Sequence, residues 1–324
     1  MLEPTPPNSK PNTRPQIEQL KLWQRAALGL FAVLGHLPLG FARSLGSAIA
    51  GLQRLGLFRN ARSVKVTRRN IERCFPELAS DVKAQLIAQS LAHTARLAME
   101  LPIVWRRDAS WFSKRTRFAC GEELLSLTPS EASQQQSSSG LLVLAPHIGN
   151  WEVVGLTLAQ KFSDDYACLY QEPKHAWLNT LMQASRGRFG GVSLPTSRKG
   201  LVQLSKHVKN GKLTGILPDQ VPDSGGGIIA PFFNQPCLTM TLAHSIIQRT
   251  QCRVVMMAAL RTERGFDLHC LPADAGVYSD DKEVSVAALN RSVEAIVELA
   301  PAQYQWEYKR FRRNGEQPGF YHAL

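Results

Sequence analysis

The stretch LVLAPHIGNWEVVGL, residues 142–156, opens as a short apolar run and leaves it through Pro-His. Apolar runs of this length fit strands covered on both faces. Pro146 suits the exit of such a strand, and Asn150 stands where a helix N-cap belongs. The local reading is strand, turn, helix, with His147 in the turn and Glu152 five residues beyond it. Residues five apart on one helix are separated by about 500°, or about 140° after a full turn. The two side chains therefore meet only if His147 precedes the helix and Glu152 lies in its first turns. That geometry puts an imidazole and a carboxylate at the C-terminal edge of a sheet, where α/β proteins bind ligands. An imidazole with a free pKa of about 6.5, oriented by a carboxylate, can take a proton from a hydroxyl. The same spacing also fits a His packed at a strand end beside a surface Glu.

Outward from this stretch the pattern stays α/β. Short apolar runs at 141–146, 166–170, 213–218 and 253–259 read as strands. Helical periodicity between and after them covers about 151–162, 176–189, 199–210, 238–250 and 282–300. Such alternation predicts a largely parallel sheet covered by helices. Upstream, residues 60–118 read as amphipathic helix, with an N-cap at Ser80 or Asp81. Residues 129–140 are polar and of low complexity, which predicts a surface loop. The expected organisation is a disordered lead-in over 1–16, a membrane-associating helical segment over 17–60, and one α/β domain over 61–324.

The formal net charge is +12, which calls for an anionic partner. Residues 1–70 hold eleven Lys/Arg against Glu3 and Glu18, so 11 − 2 = 9 of that excess lies in the first fifth of the chain. These cations border apolar residues, which suits an anionic membrane better than nucleic acid; a merely solvated basic face is the plain alternative. The run AALGLFAVLGHLPLGFA, residues 26–42, lies between Arg25 and Arg43. As a helix it would be about 26 Å long, at the short limit for a bilayer span. Pro38 and three glycines weaken a clean span, leaving an interfacial hairpin as the other form. Ala48-Ile49-Ala50 mimics a signal-peptide cleavage site, but the long proline-rich lead-in argues against that reading. Six cysteines without a C-x-x-C pair are neither a disulfide framework nor a zinc site, and predict reduced core residues.

The chain has no G-x-S-x-G elbow, no P-loop, no G-x-G-x-x-G and no H-E-x-x-H. Serine hydrolysis on an elbow, nucleotide chemistry and zincin chemistry are not supported. No cofactor and no metal is expected.

His147-Ile148-Gly149-Asn150-Trp151-Glu152 forms an H-x-x-x-x-[DE] block. It resembles the first motif of the glycerolipid acyltransferase superfamily, and the chain resembles more closely the lipid A biosynthesis (lauroyl/myristoyl) acyltransferases. Four further stretches agree in order: NIERCFPEL (70–78), LYQEPKHAWLNTLMQASRGRFGG (169–191), GILPDQVPDSGGGIIAPFFNQPCLT (215–239) and QYQWEYKRF (303–311). The resemblance spans roughly residues 60–313.

The resemblance implies transfer of a fatty acyl chain from acyl-acyl carrier protein, or acyl-CoA, to a hydroxyl of a lipid A precursor. It implies the cytoplasmic face of a bacterial inner membrane as the place. By position, His147 is the general base and Glu152 its orienting partner. Arg186 holds a substrate phosphate or developing negative charge, with Arg188 as the competitor, and Asp219 is a substrate-side acid of open role. Phe232, Phe233 and Thr239 are structural wall. The chain departs from the family pattern at Gln171-Glu172-Pro173, where Arg-Pro is expected, and at Asn234, where Gly is usual. Other acceptors (another glycolipid, a lysophospholipid, or water in a thioesterase) and a non-enzymatic basic binding protein are the alternatives.

Overall fold

The run that begins at Leu141 is a strand with every residue buried. Its side chains alternate between two core layers, as a period of two requires. Leu142 and Leu144 pack with Leu204, Ile246 and Trp306 on one face. Leu141 and Val143 pack with Val104, Phe112 and Leu156 on the other. The computed structural model describes residues 21–54, 61–126, 140–170, 176–223, 225–315, 319–322 and 324. The lead-in 1–16, nearly all of the polar stretch 129–140, and Gln171-Glu172-Pro173 lie outside them.

The strands are β1 (Thr116–Cys120), β2 (Leu141–Leu144), β3 (Tyr166–Tyr170), β4 (Val192–Pro195), β5 (Leu213–Ile216), β6 (Gly227–Phe232), β7 (Gln235–Met240), β8 (Arg253–Arg261) and β9 (Phe266–Pro272). The helices are α1 (Leu22–Leu34), α2 (Leu39–Arg54), α3 (Arg62–Cys74), α4 (Ser80–Val104), α5 (Ala109–Arg115), α6 (Trp151–Phe162), α7 (Ala176–Arg186), α8 (Arg198–Lys209), α9 (Leu242–Thr250) and α10 (Lys282–Glu298). Seven strands form one sheet in the order β1-β9-β8-β2-β5-β3-β4. From β8 to β4 all pairings are parallel. The other end departs from the expected pattern, because β9 runs antiparallel to β8 and carries β1 parallel to itself.

Three differences from the sequence reading have local causes. β9 shows alternating burial, so it lacks the continuous apolar run that marks the central strands. β4 is a sheet-edge strand of mainly exposed residues ending in Pro195, a place where proline is tolerated. The start of the expected helix at 238 is instead strand β7, which pairs with β6 through Phe232↔Gln235. The two turn residues, Phe233 and Asn234, have φ of 46° and 57°, as a type I′ hairpin turn demands. Asn enters the left-handed region more readily than most residues, which accounts for its standing where the family usually has Gly.

The apolar N-terminal run is broken into α1 and α2 by a turn before Pro38. Among the described residues no helix is long and apolar enough to cross a membrane. Leu30, Val33, Phe41 and Leu45 on these helices are exposed. α4 starts at Ser80, but Ala79 occupies the N-cap position without a side-chain cap. All six cysteines are free, and four of them are buried.

Candidate active site

Strand register builds the site. Leu144 of β2 is paired with Ile216 of β5. Three residues beyond each lie His147 and Asp219, so two adjacent parallel strands deliver an imidazole and a carboxylate to the same sheet edge. Asp219 Oδ1 lies 2.7 Å from His147 Nδ1, and Oδ2 accepts the His147 backbone N–H at 2.9 Å. Both side chains are buried. Burial by itself pushes the Asp219 carboxyl up, but His147 beside it holds it below the usual carboxylate range. An ionised carboxylate at Nδ1 selects the tautomer with the proton there. Nε2 then carries the lone pair, 3.1 Å from Gln220 Nε2.

The turn that carries His147 is pinned on both sides. Ile148 bridges Tyr304 and Gly149 bridges Ala259. Gly149 N–H donates to the Gln303 carbonyl, Gln305 N–H to the His147 carbonyl, and Asn150 N–H to the Ala259 carbonyl. Gly149 has φ of 59°, and a Cβ there would stand 2.1 Å from the Ala259 oxygen, so no larger residue fits. Asn150 does occupy the N-cap position of α6, but its side chain makes no cap. It donates instead to Glu100 of α4 at 3.0 Å. The fully buried Glu100 also receives Arg43 Nε at 2.6 Å and Arg261 Nε at 2.8 Å. The Tyr308 hydroxyl accepts the Val221 N–H at 2.9 Å. Asn70 of α3 donates to the carbonyls of Trp306 and Tyr308. Two of the family-like blocks, 70–78 and 303–311, thus hold each other and back the site.

Glu152 lies in the first turn of α6, as the spacing requires, but its hydrogen bonds go elsewhere than His147. Its carboxylate receives Arg186 Nη2 at 2.5 Å, Arg186 Nε at 3.3 Å and Trp105 Nε1 at 3.0 Å. Burial alone would lower the Arg186 pKa, yet Glu152 and its hydrogen bonds raise it. The partner of His147 is therefore Asp219, and Glu152 is the partner of Arg186. Arg188 donates to the carbonyls of Trp105 and Val104, closing the C-terminal end of α4, and stacks over Phe189.

His147, Glu152, Arg186 and Gln220 share the wall of a cavity of about 730 Å³, within the range of small-molecule sites. Asp219 and Arg188 are not among its lining residues; Asp219 sits behind the imidazole. Apolar side chains such as Leu158, Tyr166, Met182 and Val192 share the lining with Ser193, Thr196, Asp223 and Arg312. The Tyr166 hydroxyl lies between Gly155 and Gly215, 3.6 Å and 3.1 Å from where their Cβ atoms would be. Thr239 is buried and bonded to Arg310 and Asn290, and Phe233 packs against Phe75 and Trp306, which makes them wall.

Sequence reasoning gave no role to Gln220, Glu100 or Trp105, and only the Pro-Asp-Gln block drew attention to Asp219. Local spacing cannot show a partner 72 residues away. Among the described residues no group of three or more His, Cys, Asp or Glu is placed to hold a metal ion.

Residues 10–313 match the family model described as bacterial lipid A biosynthesis acyltransferase. The chain is 24% identical over 295 residues to the lipid A biosynthesis lauroyltransferase of Escherichia coli (strain K12), covering 89% of this chain and 91% of that protein. It is 24% identical over 294 residues to the palmitoleoyltransferase of the same organism, covering 88% and 89%. A lipid A biosynthesis acyltransferase of Haemophilus influenzae is 24% identical over 253 residues, 76% of each chain. With a family match over nearly its whole length, the chain belongs to the bacterial lipid A biosynthesis acyltransferases.

Proposed function

We propose that this acyltransferase moves a fatty acyl chain from acyl-acyl carrier protein to a hydroxyl of a lipid A precursor. The observation that carries the reading is the His147–Asp219 pair in the wall of a cavity that joins charged and apolar side chains. Asp219 holds the ring and stabilises its protonated form. Nε2 takes the acceptor's hydroxyl proton as the oxygen attacks the thioester carbonyl, then returns it to the departing thiolate. A positioned base of this kind contributes about 10²–10⁴-fold. The Glu152–Arg186 pair binds the polar part of a substrate at the same wall, and the Leu158–Tyr166 side of the cavity receives the acyl chain.

Attack is direct, without an acyl-enzyme. Cys168 lines the cavity, but burial pushes its thiol up, which disfavours the nucleophilic thiolate. The hydrogen bonds of the His147 ring go to Asp219 and Gln220 rather than to a serine or cysteine.

The enzyme works at the cytoplasmic face of an inner membrane, against which α1 and α2 lie. The exposed Leu30, Val33, Phe41 and Leu45 and the basic N-terminal region support this placement.

The test is acyl transfer by purified protein in detergent, with acyl-acyl carrier protein and a panel of acceptors. Product on the lipid A precursor, absent with His147→Ala, is expected. Product only on another glycolipid or a lysophospholipid changes the acceptor. Free fatty acid without any acylated lipid means a thioesterase.

A further inference from the structure

We propose that Gln220 is a catalytic residue that supplies the oxyanion hydrogen bond; this rests on the acyl-transfer reading above. The Gln220 amide nitrogen lies 3.1 Å from His147 Nε2, the atom that must receive the acceptor's proton. With the proton on Nδ1, Nε2 can only accept, so an amide N–H of Gln220 caps its lone pair. The other amide hydrogen has a weak alternative partner, Gln305 Oε1 at 3.5 Å. Both Gln220 and His147 line the cavity.

Many of the rival donors nearby are committed. The N–H groups of His147, Ile148, Gly149 and Asn150 go to Asp219, Pro146, Gln303 and Ala259. Val221 N–H goes to the Tyr308 hydroxyl. Arg186 Nε and Nη2 are on Glu152, and both terminal nitrogens of Arg188 are on the end of α4. Arg312, also at the cavity wall, donates to the Val221 carbonyl. The backbone N–H groups of residues 147–150 are therefore all taken, and the Gln220 amide is a neutral donor held at the reacting atom.

The acceptor hydroxyl displaces that amide from Nε2. Its O–H proton passes to Nε2 while its oxygen bonds to the thioester carbon. The carbonyl π pair moves onto the carbonyl oxygen, two bonds from the attacking oxygen and within reach of the displaced N–H. Collapse of the intermediate breaks the carbon–sulfur bond, and the thiolate takes the proton from Nε2.

The experiment compares kcat and KM for both substrates in wild type, Gln220→Ala and Gln220→Glu, assayed below each variant's melting temperature. Gln220→Glu keeps the size of the side chain and removes its donors. Loss of one oxyanion donor costs about 10²–10³ in kcat, so both variants should fall that far with little change in either KM. If Gln220→Ala does not fold, Gln220→Glu decides. A kcat within tenfold of wild type, or a loss confined to KM, overturns the assignment while leaving acyl transfer intact. Wild-type protein that transfers no acyl chain overturns the acyl-transfer reading, and this assignment with it.

Discussion

Glu100 accepts a 3.0 Å hydrogen bond from the side chain of Asn150, which ties the C-terminal part of α4 to the N-cap residue of α6. The same carboxylate pairs with both Arg43 and Arg261, whose side chains are buried. Removing one partner of a buried ion pair leaves uncompensated charge and costs about 3–5 kcal/mol. Glu100→Ala should lower the unfolding free energy read from urea titration by that order and loosen the His147 turn with it. Replacing Arg43 and Arg261 together with methionine should restore part of the stability, read by the same titration.

Asp219 and Glu152 are both acidic and both near His147, but they should fail differently. Asp219→Asn leaves the shape of the site and destroys the tautomer preference of the ring. The expected loss is about 10²–10⁴ in kcat with KM little changed. Glu152→Gln releases Arg186 from its carboxylate and should appear mainly in the KM of the substrate that Arg186 meets. Equal kcat losses with unchanged KM in both variants would instead make Glu152 part of the proton-transfer apparatus.

His93 on α4 gives stability a pH dependence. Burial, with Arg261, Arg96 and Arg43 nearby, pushes it down from 6.5 to about 3. Between those values the unfolded chain binds a proton that the folded chain refuses, so stability rises with pH. The contribution is fully present above about 6.5 and is lost as pH falls toward about 3. His93→Gln should flatten this slope, so that the wild type loses more than the variant between pH 7 and pH 4 in urea titrations.

Gly155 borders the cavity where the Tyr166 hydroxyl closes it. A Cβ there meets that hydroxyl at 3.6 Å, an ordinary contact, so Gly155→Ala should be accepted by the packing around the site. Gly155→Val should shorten the usable cavity and shift preference toward shorter acyl chains. Each excluded methylene is worth about 0.8 kcal/mol, or about fourfold in relative kcat/KM. An unchanged chain-length profile would place the acyl group elsewhere.

The exposed apolar residues of α1 and α2 give a test of membrane placement. Leu30→Asp with Phe41→Asp should reduce flotation of the full chain with anionic phospholipid vesicles at high salt, where charge attraction is screened. Flotation equal to wild type would move the membrane contact off these helices.

Much of the fold was legible because its central strands are covered on both faces. The runs at 141, 166, 213 and 253 became β2, β3, β5 and β8, and α6 falls on 151–162 as read. β9 escaped because its one-sided burial mimics an amphipathic loop, and the β6–β7 hairpin because its turn is Phe233-Asn234 without a glycine. Within the site, His147 was legible from its place at a strand exit. Its partner was not, because Asp219 reaches it through the pairing of Leu144 with Ile216, and register is a property of the assembled sheet.

The strap of residues 303–308 across the His147 turn also sets a timetable. His147 leaves the ribosome 158 residues before Gln305, whose N–H holds its carbonyl. At roughly 5–20 residues per second, that interval is about 8–30 s. Throughout it α1 and α2 are already made, while the His147 turn lacks its clamp. On the proposed membrane placement, a nascent chain can thus settle on the bilayer well before it is able to act there.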